Sequence, residues 1–166
     1  MPPNKQSVSQ RFEGIQVLID KVGRLTHAGT AMVVAAALDR LLEHALLTKM
    51  NKLNSKIYNK LFGDYGSLRD FSIKIDLSFA LGLADRETYK HLTTIRKIRN
   101  IFAHAEDFVN FDSPAIRTLL PSLADNSSKL APFDEFMSMA TAIESAVTTT
   151  TGLPHRGIID KVKTDG

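Results

Sequence analysis

The sequence contains no cysteine, and its five histidines are widely scattered. The missing cysteine excludes disulfide bonds, thiolate metal sites and a cysteine nucleophile. No two histidines have the spacing of a metal-binding pair on one helix. The sequence also contains no glycine-rich phosphate-binding loop and no Ser, His and Asp residues in the order of a catalytic triad. The sequence therefore predicts neither a metal site nor another cofactor.

Long apolar segments are missing as well. No stretch approaches the ~20 apolar residues of a membrane-spanning helix, and the longest weakly polar run, 31–38, is short and rich in alanine. The first seven residues, Met-Pro-Pro-Asn-Lys-Gln-Ser, lack the apolar core of a signal peptide. We therefore expect a cytoplasmic protein without a membrane partner.

The composition fits one globular domain of ordinary size. The chain has 166 residues, of which 43% are hydrophobic and 23% are charged, and this is enough for a hydrophobic core. Its formal net charge is +3 at pH 7. Such a mild excess permits an anionic partner without requiring one, because nucleic-acid-binding proteins usually concentrate positive charge on one face.

Apolar residues recur three and four positions apart along most of the chain, and there is no strand alternation or internal repeat. This periodicity predicts an all-α fold, a single compact bundle of about six or seven helices. We assign residues 1–150 to the bundle and expect 151–166 to form a mobile tail. The predicted helices cover residues 7–25, 27–50, 54–62, 68–81, 86–105, 114–120 and 133–148.

Capping signals set several of these boundaries. Ser67 follows a glycine-containing turn and is the predicted N-cap of the fourth helix, and Gly82 stands where a C-terminal glycine is common. Asp85 is the predicted N-cap of the fifth helix. Ser113 and Pro114 predict the start of the sixth.

The fifth predicted helix carries the most informative side chains of the sequence, which are Arg99, Asn100 and His104. Arginine can hold a phosphate through two hydrogen bonds, and histidine can move a proton near neutral pH. Asn100 and His104 are one turn apart and share a face, whereas Arg99 and His104 diverge by about 140° on an ideal helix. A bent arginine side chain, or a loosened helix end, can still direct both into one cleft.

Two interpretations of these three residues stay open. In a metal-independent ribonuclease, His104 would act as general acid or base on the ribose 2′-hydroxyl and the leaving oxygen. Arg99 would stabilise the added charge on phosphorus, and Asn100 would orient the phosphate or the imidazole. In a structural role, Arg99 would pair with Glu106 or Asp107. His104 would then cap the helix C-terminus, and Asn100 would hold the following loop.

Two groups of basic residues are candidate nucleic-acid contacts. The first comprises Arg96 and Lys97, next to Arg99 on the same predicted helix. The second lies in 49–60, where lysines three or four positions apart would share one helix face. Its members are Lys49, Lys52, Lys56 and Lys60. A solubilising helix face is the simpler explanation of both groups.

Three segments follow one another in a recognisable order. They are 68–83 with Gly63 and Gly66 before it, then Asp85-Arg86-Glu87, then 95–104 followed by Phe111-Asp112-Ser113-Pro114. Their order over about residues 28–120 resembles the MltR family, the mannitol operon repressor and its relatives. The resemblance implies a compact, all-helical bacterial regulator of transcription that acts through a protein partner and associates with itself, for example as a homodimer. We find no helix-turn-helix, so direct DNA recognition is not expected.

The segment from Arg99 to His104 also resembles the active-site signature of HEPN domains. These are helical bundles, often dimeric, and many are metal-independent ribonucleases. Their signature is an arginine, usually followed by a polar residue, and then a histidine a few positions later. In such enzymes, two copies of this signature meet across a dimer interface. The resemblance implies, as the alternative function, a toxin- or defence-type ribonuclease using Arg99 and His104. A third alternative is an interaction module in which these residues are only structural.

Overall fold

The structure is a computed structural model that describes the backbone of residues 5–120 and 130–154 and the side chains of 26–120 and 130–154. Within these ranges the chain forms helices and no strands, which confirms the predicted all-α bundle. The helices of the described ranges are α1 (Lys5–Leu47), α2 (Ser55–Phe62), α3 (Phe71–Ala80), α4 (Arg86–His104), α5 (Pro114–Arg117) and α6 (Pro132–Thr151). None of them is both long enough and apolar enough to cross a lipid bilayer.

The first two predicted helices are in fact one. α1 continues for 43 residues through the position near residue 26 where the sequence predicted a break. Gly29 does not interrupt it, although glycine costs about 1 kcal/mol relative to alanine inside a helix. The following turns bury Val34, Leu38 and Leu42 completely or almost completely, and this packing outweighs the cost. The side chains predicted to pack from residues 7–25 lie outside the described residues.

α1 and α4 form the centre of the bundle. α1 packs against α3, α4 and α6, and α4 also packs against α3, α5 and α6. The α4 side chains Leu92, Ile95 and Ile98 are fully buried, as the periodicity predicted. Phe102 is only half-buried, and Ala105 is exposed at the C-cap. The buried stripe therefore ends before the helix does, and the side chains of the last turn of α4 are partly or fully exposed.

Several predicted helix ends are confirmed. The Asp85 side chain accepts a hydrogen bond from the Thr88 N–H at 2.8 Å and so caps α4. Gly82 follows α3 with a φ of 69°, in the left-handed region that favours glycine. Ser113 precedes α5, but its hydroxyl accepts from the Asn110 N–H at 3.0 Å and does not cap the helix.

The start of α3 differs from the prediction. Its N-cap is Asp70, whereas the sequence predicted Ser67. The Leu68 N–H donates to the Leu61 carbonyl at 2.7 Å, which folds this segment back onto the end of α2. Gly66 lies so close to α2 that a Cβ there would collide with that same carbonyl. The turn is thus fixed by contact with α2, which delays the start of α3.

The end of α6 also lies later than predicted. The helix runs to Thr151, and Gly152 ends it with a φ of 70° and an N–H that donates to the Thr148 carbonyl at 2.9 Å. Most of the predicted mobile tail, residues 155–166, lies outside the described residues.

Candidate functional site

The last turns of α4 carry the three residues that the sequence singled out. Arg99 and His104 are exposed and Asn100 is half-buried. The Arg99 Nη1 group donates to Asn100 Oδ1 at 3.0 Å. In the part of the chain that the structure describes, Arg99 forms no ion pair with Glu106 or Asp107. The pairing expected for a purely structural Arg99 is therefore not present there.

These residues are divided between two neighbouring grooves. Arg99 lines a groove of about 610 Å³ that α1, α4 and the start of α3 enclose. His104 lines a shallower depression of about 540 Å³ at the end of α4, together with Glu106 and Asp107. Asn100 lines both. Within one chain, Arg99 and His104 thus face different grooves, which agrees with their divergence of about 140° around the helix.

The groove at Arg99, called the arginine groove below, brings three arginines together. Its basic and amide members are Arg69, Arg96, Arg99 and Asn100, and its other lining residues are Met32, Ala35, Ala36, Asp39, Asp70, Phe71 and Ser72. No carboxylate among the described residues lies within 4.0 Å of any of the three guanidinium groups. Their charge is therefore available to an anionic ligand.

Arg69 is the member of this groove that the sequence did not reveal. It lies in the turn before α3, and its Nη1 group donates to the Asp64 carbonyl, which orients the guanidinium. The backbone hydrogen bond from the Arg69 N–H to the Gly66 carbonyl, at 3.2 Å, fixes the same turn. No local motif marks Arg69, because the fold of its turn onto α2 and the packing of α3 on α4 bring it into the groove that Arg96 also lines.

The other predicted nucleic-acid contacts do not join this groove. Lys97 is exposed on α4 and lines none of the grooves described here. Lys49 and Lys52 lie in the loop between α1 and α2, and Lys56 lies on α2. Lys49 and Lys52 therefore share no helix face with Lys56 and Lys60, because the chain between α1 and α2 is not helical.

A buried charge cluster lies beside the arginine groove and contributes Asp39 to it. Lys74 Nζ is 3.1 Å from Asp39 Oδ2 and 3.1 Å from Glu43 Oε2, and the Tyr58 hydroxyl donates to Glu43 at 2.6 Å. Burial raises the pKa of Asp39, against the lowering effect of Lys74. Burial also raises the pKa of Glu43, but the hydrogen bonds from Tyr58 and Lys74 outweigh it and lower the pKa overall.

A third groove of about 870 Å³ runs between α1 and α6 and is called the apolar groove below. Most of its α1 lining is aliphatic, and Val33 in it is 54% exposed. Its lining residues are Val33, Ala36, Ala37, Arg40, Leu41, His44, Leu47, Thr48, Glu144, Thr148, Leu153 and Pro154. The sequence did not indicate this groove, because apolar residues three and four positions apart are typical both of a helix face that packs against another helix and of one that is exposed to solvent.

The described side chains contain no group of three or more histidine, aspartate or glutamate residues placed to hold a metal ion. Within the described residues, the fold and the grooves define an all-helical bundle that carries a cationic groove and an apolar groove. Comparison with protein-family models, curated proteins and solved structures gave no match to the chain. The MltR and HEPN resemblances therefore rest on the sequence motifs alone.

Proposed function

We propose that this chain is a regulatory protein, linked to transcription, that acts through a protein partner. The apolar groove is the observation that best supports this function. Its α1 wall extends from Val33 to Leu47, which is about 21 Å at 1.5 Å per residue. A groove of this length with an aliphatic wall can receive the apolar face of an amphipathic helix. Arg40 on the same wall favours a partner helix with an acidic flank.

The position of α4 argues against direct DNA recognition by this helix. α4 carries Arg96 and Arg99, the side chains best suited to contact bases or phosphates. It packs against α1, α3, α5 and α6, and its middle is buried. A recognition helix must project far enough to enter the major groove, and α4 does not. Regulation through a partner is consistent with this placement.

Photo-crosslinking at position 33 tests the proposal. A photoreactive amino acid replaces Val33 in the apolar groove, and a control chain carries it at Ile73, which is 40% exposed on α3 and outside the grooves described. We expect one protein to crosslink at 33 in the native host and not at 73. In chains without the probe, Val33→Asp should abolish the transcriptional effect, while Ile73→Asp retains it. Sequence-selective, salt-sensitive DNA binding by the purified chain would contradict the proposal.

A metal-independent ribonuclease is the second candidate function. It is favoured by the exposure of Arg99 and His104 and by the missing pairing of Arg99 with Glu106 or Asp107 in the described chain. His104 would transfer the proton of the ribose 2′-hydroxyl, and Arg99 would stabilise the charge that develops on phosphorus. Because the two line different grooves, a second chain would have to bring its own motif to this one.

RNA cleavage in the presence of EDTA tests this second function. His104→Ala should lower the rate by about 10²–10⁴-fold, because a general acid or base contributes that much. His44→Ala is the matched control, since His44 is exposed on α1 and far from α4 in sequence. RNA that stays intact at high concentrations of the wild-type chain rules out the ribonuclease.

A further inference from the structure

We infer that the arginine groove is a binding site for a small hydroxylated phosphomonoester, a sugar phosphate or a nucleoside monophosphate. The site uses Arg69, Arg96 and Arg99 for the phosphate. It shares only Ala36 with the apolar groove of the proposed regulator and only Asn100 with the depression that contains His104. Phosphate binding by the three arginines therefore requires neither proposed function.

Three guanidinium groups on one groove match a dianionic phosphate. Each stays charged at every physiological pH and presents a planar set of donors that fits phosphate oxygens. Arg69 is held in place by the Asp64 carbonyl, and Arg99 by Asn100 Oδ1. Because these contacts order the two side chains before a ligand arrives, less conformational entropy is lost on binding. Asn100 accepts through its oxygen and so keeps its NH₂ group for the ligand.

The first turn of α3 adds to this positive potential. Asp70, Phe71 and Ser72 line the groove, so the N-terminus of α3 opens onto it. Asp70 makes no side-chain hydrogen bond to the first turn of the helix. The first backbone N–H groups of a helix lack partners within it and attract anions. Together with the three arginines, they favour a phosphate at this end of the groove.

The acidic side chains of the groove decide between a small ester and a nucleic-acid chain. Asp39 and Asp70 line the groove beside the arginines. Asp39 Oδ1 is buried and has no hydrogen-bond partner among the described residues. Carboxylates repel an extended polyanionic backbone, but they accept hydrogen bonds from hydroxyl groups. The groove volume of about 610 Å³ is within the range of small-molecule sites.

Calorimetric titration of the full chain at low salt tests the site. The ligands are inorganic phosphate, glucose 6-phosphate and AMP, with glucose and adenosine as unphosphorylated controls. We expect at least one ester to bind more tightly than inorganic phosphate, and neither control to bind. If glucose 6-phosphate binds more tightly than AMP, the groove selects a sugar phosphate, and the reverse order assigns it to a nucleotide.

Single substitutions then test the residues. Arg69→Ala and Arg99→Ala remove exposed side chains and should each weaken binding about tenfold to hundredfold, as expected for charge-assisted hydrogen bonds. Arg99→Lys should recover only part of the loss, because it keeps the charge but not the planar donors. Lys97→Ala removes a charge from the same helix outside the groove and should change affinity less than twofold. His104→Ala should leave ester binding intact even where it abolishes RNA cleavage.

Three results would overturn the site. The first is no binding of either ester at millimolar concentration. The second is an equal loss of affinity in Lys97→Ala and Arg99→Ala, which would show only a general charge effect. The third is tighter binding of single-stranded RNA than of either ester, with affinity falling steeply as salt rises, which would assign the groove to a polynucleotide. Melting curves of each variant show that the fold is retained.

Discussion

Lys74 of α3 forms an ion pair with Asp39 of α1, with 3.1 Å between Nζ and Oδ2, although Lys74 is only 3% exposed. Glu43, one turn further along α1, accepts from the same ammonium group. A buried cation is tolerated only when it is paired and hydrogen-bonded. This pair fixes α3 against α1 and thereby places the turn that carries Arg69 beside α4.

Removal of the ammonium group should destabilise the bundle considerably. Lys74→Met fills a similar volume but leaves Asp39 and Glu43 without their cation. Loss of one partner of a buried pair costs about 3–5 kcal/mol. The two carboxylate side chains are 28% and 19% exposed, so water compensates part of this and we expect about 2–3 kcal/mol. Urea denaturation measures the change.

A triple variant provides the control for this substitution. Asp39→Asn and Glu43→Gln in the Lys74→Met background remove the uncompensated charges, so much of the lost stability should return. A loss below about 1 kcal/mol in Lys74→Met alone would show that water, and not Lys74, satisfies the two carboxylates.

The two carboxylates should respond to acid in opposite directions. Burial raises the pKa of Glu43, but the hydrogen bonds from Tyr58 and Lys74 outweigh it and hold the pKa below its usual 4.5. Its stabilisation is therefore complete above pH 4.5 and is lost as the pH falls through the folded-state pKa. Burial raises the pKa of Asp39 above its usual 3.8. The folded chain therefore takes up this proton first, and the stability contributed by Asp39 increases as the pH falls towards 3.8.

Denaturation of three chains between pH 7 and pH 3 separates these effects. The stability advantage of the wild type over Glu43→Gln should shrink below pH 4.5. As the pH falls towards 3.8, the stability of the wild type relative to Asp39→Asn should increase. If the free energy of unfolding of the wild type ran parallel to that of Glu43→Gln and to that of Asp39→Asn at every pH, neither carboxylate would have a different pKa in the folded and unfolded states.

The N-cap residues of α3 and α4 should differ in how much they contribute to thermal stability. The Asp85 side chain accepts from the Thr88 N–H at 2.8 Å, whereas Asp70 makes no side-chain cap. Asp85→Ala should lower the melting temperature by about 2–4 °C. Asp70→Ala should change it by less than about 1 °C, because no such bond is lost. Equal effects in a thermal scan would show that the two aspartates act through their charge alone.

Phe111 should be among the most sensitive positions of the core. Its buried ring lies 4.9 Å from that of Phe136, 5.1 Å from Phe102 and 5.4 Å from Phe133. Phe111→Ala removes these contacts and leaves a cavity, so we expect a loss of about 3–5 kcal/mol in urea denaturation. Phe79, which is 42% exposed, is the matched control. If Phe79→Ala costs as much, the aromatic cluster is not the main anchor of the loop after α4.

The sequence predicted α4 well because its N-cap and its apolar periodicity both lie within the helix and its first turn. The side chain of Asp85 bonds within its own turn, and the buried residues Leu92, Ile95 and Ile98 follow the helical period. Neither depends on a distant part of the chain. The same holds for Gly82, whose left-handed φ follows from its place after the last turn of α3.

The arginine groove was not predictable in the same way. Arg99 and Asn100 were recognised by their residue types, but Arg69 becomes part of the site through the fold of its turn onto α2 and the packing of α3 on α4. Lys74 lies in an apolar helical segment, and its partners lie on another helix. The continuity of α1 was missed for a related reason, since local propensity near Gly29 is overruled by burial further along the helix.

If the chain is a ribonuclease, its activity should depend on association of two chains. Arg99 and His104 line different grooves of one chain, so a complete site needs two chains to place their motifs side by side. The RNA cleavage rate per chain should therefore rise with protein concentration and level off once the dimer dominates. A mixture of Arg99→Ala and His104→Ala chains should cleave faster than either variant alone, because only mixed dimers contain both intact groups. Sedimentation measurements at the same concentrations show whether the rise follows dimer formation. A rate per chain that is constant from fully monomeric to dimeric conditions would instead require both groups to act within one chain, which the two separate grooves do not provide.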